Sequence, residues 1–158
     1  MVAADAWEEA NQIERAASMR ARAWEIEVGA AAHALERQLE DVARERGQVA
    51  YAVIEPSGDY WLRESDPTSR GKTLRIEIPE RRRFNQPRFF SANIERTDAG
   101  WYGMYGTATG WGAGWPQKVF HATTREPSDE NGPASPTAAP VLGRIVLAYR
   151  FAVVEGLS

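Results

Sequence analysis

The chain has 158 residues, a formal net charge of -3, two histidines and no cysteine. That length suits one domain with an appendage, and the composition excludes a disulfide framework, a thiolate metal site and a histidine-rich metal cluster. Residues 1–47 carry ten acidic against six basic side chains and the remainder twelve against thirteen. Neither part has the basic surface of a nucleic-acid binder. No run of about 20 apolar residues is present to insert in a membrane. The opening residues lack the basic and apolar regions of a secretory signal, so the expected place of synthesis is a cytoplasm. No cofactor is expected.

Residues 3–46 contain no proline and a single glycine, Gly29, among many alanines, glutamates and arginines. This composition predicts one long helix, about 65 Å in length at about 1.5 Å per residue. A globule made from the rest of the chain is only about 35 Å across, so the helix is expected to project. Its apolar positions follow a heptad rhythm. Ala3, Ala6, Ala10, Ile13, Ala17, Arg20 and Trp24 alternate three and four apart, and so do Val28, Ala32, Leu35, Leu39, Val42, Arg46 and Val49. The step from Trp24 to Val28 is a stutter, which locally unwinds a left-handed supercoil. Two readings stay open: an amphipathic helix folded onto its own domain, or a self-associating stalk with Val28, Leu35, Leu39 and Val42 as oligomerisation residues. Helix length favours the stalk, which divides the chain into residues 1–47 (stalk) and 48–158 (head).

Gly47 follows Arg44 and Arg46 and marks the helix end. Residues 49–54 are a short apolar run, and Pro56 to Asp59 is a turn. Residues 60–62 are a candidate strand. Leu74, Ile76 and Ile78 alternate with polar residues, as do Phe90, Ala92 and Ile94 against Phe89, Ser91 and Asn93. Residues 118–125 and 144–154 are rich in β-branched and aromatic side chains, and the second run is expected to be a central strand. Residues 126–142, with their prolines, are a long loop. The expected fold is therefore α+β: a long N-terminal α-helix followed by an antiparallel β-sandwich.

Catalytic arrangements are absent from the pattern. Glu77 and Glu80 fall on opposite faces of a continuing strand, His121 stands alone, and residues 100–114 are not followed by the Gly-Lys-Ser/Thr of a phosphate loop. The most unusual stretch is 101–115. Trp101, Tyr102, Tyr105, Trp111 and Trp115 are interleaved there with Gly103, Gly106, Gly110, Gly112 and Gly114. Flat rings with polar edges suit sugar stacking or protein contacts, and they equally suit a plug at the end of the sandwich or a packed subunit interface. Arg83 belongs to the basic cluster Arg81 to Arg83, which is either a solvated turn or a contact for an acidic surface. These aromatics and Arg83 are the candidate ligand-binding residues. No catalytic or metal-ligating residue is assigned.

From Leu74 onward the layout resembles the H-type lectin sandwich. The matching stretches are Phe84-Asn-Gln-Pro87 leading into the strand through Ile94, and residues 145–156, where Tyr149 takes the place of the closing tryptophan. The resemblance implies a trimeric sandwich with a binding role. A helical stalk carrying such a head also looks like phage fibre, spike and decoration proteins. The expectation is a non-enzymatic, homo-oligomeric virion attachment protein. Its helix docks on the particle among other virion proteins, and its head meets a host surface glycan or a protein. The alternative is a purely structural capsid or tail building block whose aromatic stretch is buried between subunits.

Overall fold

The structure, a computed structural model, describes residues 2–57, 67–78, 88–109 and 134–155. In chain order the elements are α1 (Val2–Glu45), β1 (Val53–Pro56), β2 (Arg70–Glu77), β3 (Arg88–Thr97), β4 (Gly100–Thr109) and α2 (Ala139–Glu155). The chain is thus α+β, as expected. The described strands form a single antiparallel sheet in the order β1-β2-β3-β4. In the register, Ile54 pairs with Leu74, Leu74 with Ala92, and Ala92 with Tyr105. The expected strands at 60–62 and 118–125, and residues 126–133 of the expected loop, lie outside the described residues, while residues 139–142, also expected to be loop, belong to α2.

α1 ends where the sequence places it. Gly47 adopts φ 71°. Its N–H donates to the Arg44 carbonyl at 2.9 Å, and the Gln48 N–H donates to the Ala43 carbonyl at 3.1 Å. This pair of bonds is a Schellman cap, and the left-handed residue at its centre favours glycine.

The core lies between the sheet and the two helices. Leu74, Ile76 and Ile78 from β2 and its end, and Phe90, Ala92 and Ile94 from β3, are buried on one face. They share a single cluster with Val28, Leu35, Leu39 and Val42 of α1 and with Val141, Ile145, Tyr149 and Ala152 of α2. This corrects the oligomerisation assignment. Val28, Leu35, Leu39 and Val42 are buried by their own chain, so the second heptad series serves an intramolecular contact, and helix and sheet share one core across residue 47. Val49, the last position of that series, lies beyond the helix and is exposed.

Residues 144–154 are a second correction. They form α2, not a strand. The buried positions Val141, Ile145, Tyr149 and Ala152 recur at helical spacing, while Leu147 and Phe151 on the outer side are 67% and 52% exposed. Those outward apolar residues mask the helical period, and packing on the sheet overrides the β-branched composition. Pro140 sits in the first turn, where a missing N–H costs nothing. Residues 145–155 of the stretch compared with the lectin closing strand are therefore helical. Residues 101–109, which are not among the expected strands, form β4.

α2 packs closely over Gly103. A Cβ at that position would run into the Val141 side chain. The β3–β4 hairpin turns through Asp98 and Ala99, where the Thr97 hydroxyl accepts from the Ala99 N–H at 3.1 Å. Gly100 closes the turn with φ 134°, against the Ser135 carbonyl.

Candidate docking surface

α1 divides at Ala21. Beyond that residue one side of the helix is covered by the sheet. Before it, residues 4–20 are exposed except for partial cover of Asn11 and Ala17. At about 100° per residue, Trp7, Ala10, Ile13 and Ala17 fall on the same arc as the buried Ala21, Trp24, Val28, Leu35 and Leu39. Among the described residues, the core-facing stripe therefore continues past the end of the sheet with no other element packed over Trp7, Ala10 and Ile13. Trp7 is 75% and Ile13 64% exposed.

The junction between the two halves is electrostatically tied. Glu25 meets the Lys72 ammonium at 2.9 Å and Arg70 Nε at 3.5 Å, and Glu27 meets Arg96 Nε at 3.4 Å. The Arg96 guanidinium lies 5.0 Å from the Trp24 ring centre and 6.0 Å from that of Trp101, and Arg20 lies 5.5 Å from Trp24 on the helix itself. Such contacts hold Trp24 at the sheet end, each contributing about 0.5–1 kcal/mol where exposed. Beside them an open cleft of about 600 Å³ runs between α1 and the residues leading into β2, with Ala17, Ala21 and Arg22 on one wall and Pro67, Thr68 and Arg70 on the other.

The described aromatics of the glycine-rich stretch do not converge. Trp101 is buried and bonded through its backbone to Ser135 at 2.7 and 2.9 Å. Tyr105 packs against the core and stacks on Phe90 with ring centres 6.1 Å apart. Both stand on the helix side of the sheet. Tyr102 pairs with Glu95 and so stands on the opposite side. Trp111, Trp115 and Arg83 lie outside the described residues, as do His121 and Glu80.

That opposite side carries polar groups. The hydroxyls of Ser57 and Thr73 lie 3.1 Å apart, Thr73 donates to Asn93 Oδ1 at 3.1 Å, and Ser57 also donates to that oxygen. Glu95 and Ser91 are buried beside them on β3. The set joins β1, β2 and β3 without a nucleophile-and-base geometry. Among the described residues no group of three or more His, Cys, Asp or Glu could hold a metal ion. His33 is exposed on α1, 3.5 Å from Glu36. No helix among the described residues is long and apolar enough to cross a membrane.

Burial holds the Tyr149 phenol above its usual range, with the Glu77 carboxylate adding to the shift. Its hydroxyl donates to the Glu77 carbonyl at 3.0 Å, pinning α2 to the end of β2. This is a structural role. Sequence reasoning missed it because it placed Tyr149 on a strand. It also missed the outward pair Leu147 and Phe151, whose spacing of four signals a helix face once the segment is known to be helical.

Comparisons with protein-family models, curated proteins and solved structures give no match.

Proposed function

We propose that this chain is a non-enzymatic, homo-oligomeric assembly protein, a virion component of the fibre, spike or decoration kind, which attaches through the projecting half of α1. One observation carries the reading: the core-facing stripe of α1 runs on past the sheet through the half-covered Ala17 to Ile13, Ala10 and Trp7, which are exposed among the described residues. Most helical stability in proteins comes from packing of an amphipathic face, and an exposed apolar stripe fits a protein contact. The virion setting itself rests on the projecting half of α1 and on the remaining part of the sequence resemblance, without the 145–155 stretch, which is helical.

Of the two expected roles for the head, the structural one has more support. Trp101 is buried in the chain's own core and Tyr105 is half-buried against it, so neither ring stands free as a sugar platform. Light scattering on the purified protein tests the reading, and an oligomer at micromolar concentration is expected. A monomer under those conditions overturns it, and a catalytic turnover found with any substrate overturns its non-enzymatic part.

A further inference from the structure

The charges of the projecting segment are segregated. Between residues 4 and 14 the ionised side chains are Asp5, Glu8, Glu9 and Glu14, and between 15 and 22 they are Arg15, Arg20 and Arg22. No acid stands three or four residues from a base within this segment; only Arg22 has such a neighbour, Glu25, which lies beyond the segment and is held by Lys72 and Arg70. Among the described residues none of these groups makes an ion pair, whereas the next acids, Glu25 and Glu27, reach the sheet. An exposed helix segment whose four acids, Asp5, Glu8, Glu9 and Glu14, have no base at pairing distance along the helix, and which carries the exposed Trp7, is complementary to something outside itself. The cleft at its base offers small side chains at Ala17 and Ala21 beside Ile26, and its charged lining is Arg22, Arg70 and Glu25, the last already paired with Arg70.

We infer that two copies of this chain pair through α1 in antiparallel fashion, with Trp7 of each seated in the cleft of the other. The inference rests on the homo-oligomeric reading above and names its partner and geometry. The register that sets Trp7 level with Ala23 sets Glu8 level with Arg22, Glu9 beside the level of Arg20, and Ile13 against Ala17. Large residues then face small ones, and the acidic end of each helix lies along the basic stretch of the other. Because the same register holds in both directions, the contact is two-fold and closed. A parallel bundle, including the trimer implied by the lectin resemblance, instead sets Glu8 and Glu9 beside their own copies. A chain's own Trp7 cannot fill its own cleft, since it lies about 21 Å along the same helix from Ala21.

The chain has no cysteine, so single introduced thiols report the geometry. Ala10→Cys and Arg20→Cys stand at equal levels in the antiparallel register. Two copies of Ala10→Cys stand about 15 Å apart along the axis. Under mild oxidation the mixture is expected to cross-link and Ala10→Cys alone is not. Trp7→Ala is expected to weaken association at least about tenfold, as for a central aromatic anchor, with an unchanged circular dichroism spectrum. Efficient cross-linking of Ala10→Cys to itself, or an oligomer untouched by Trp7→Ala, overturns the antiparallel pairing while leaving the assembly reading in place. A wild-type monomer at micromolar concentration overturns both.

Discussion

The two halves of α1 carry the same stripe and meet opposite fates. Residues 21–43 place Trp24, Val28, Leu35, Leu39 and Val42 against β2, β3 and α2, and these side chains are buried. Residues 4–20 place Trp7 and Ile13 on the same arc and leave them in solvent. Apolar periodicity reports which side of a helix is sticky. It does not report whether the partner is the same chain or another one. That distinction is set by where the sheet ends, at the Arg70 to Arg96 to Trp101 pairing, and no local pattern encodes that position.

The comparison breaks most decisively in the covered half. Leu35→Ala with Leu39→Ala removes two fully buried side chains from the shared core, each costing about 2–5 kcal/mol. The sum approaches the total stability of an ordinary domain. Helical and sheet signals in circular dichroism are expected to collapse together. Sheet structure that survives the loss of the helix would show that α1 is not part of the core.

The next effect is smaller and lies where the hairpin meets the segment before α2. Gly100 has φ 134° and faces the Ser135 carbonyl. Gly100→Val adds both a strained backbone and a collision. A loss of about 1–3 kcal/mol is expected in denaturant titration, without change in oligomer size. An oligomer altered in step with stability would tie the head to the contact.

Tyr149→Phe acts on the same core with a pH signature. The Tyr149 phenol titrates above its unfolded value because burial disfavours the phenolate and Glu77 adds repulsion. Its contribution is therefore fully present below about pH 10, where the unfolded tyrosine still holds its proton. It is lost as the pH rises from there through the folded value. Wild-type stability should fall on that alkaline limb, and Tyr149→Phe should flatten the fall. At neutral pH the variant loses one hydrogen bond, about 1 kcal/mol. Equal alkaline slopes in the two proteins would assign the limb to another group.

Much of this build was legible in the sequence. The long helix, its end at Gly47 and the alternation in β2 and β3 came from local rules: composition, a left-handed cap and a period of two. What escaped was decided by tertiary context. α2 reads as a strand because Ile145, Val146 and Tyr149 favour one, and because Leu147 and Phe151 erase the polar side that would reveal a helix. β4 does not read as a strand because Gly103 and Gly106 look like punctuation. At Gly103, however, the missing side chain is what admits Val141 of α2. The glycan reading leaned on a cluster of rings, and the sheet sends Trp101 and Tyr105 to one side and Tyr102 to the other. Alternation along a strand disperses what is adjacent in sequence.

The smallest effect on folding belongs to the exposed half, and it sharpens the comparison most. Trp7→Ala with Ile13→Ala removes side chains that are largely exposed, so at concentrations where the protein is monomeric the unfolding free energy should move by no more than about 0.5 kcal/mol. At higher concentration the two proteins should part. An oligomer that binds only the native state stabilises it by mass action, so the wild-type melting temperature should climb with protein concentration, and that of the variant should stay level. The same stripe is then seen in both of its uses: Leu35 and Leu39 hold the fold at any concentration, while Trp7 and Ile13 contribute only when another molecule is present to cover them. A variant that melts lower even when dilute would mean that the exposed half is packed against its own chain in solution.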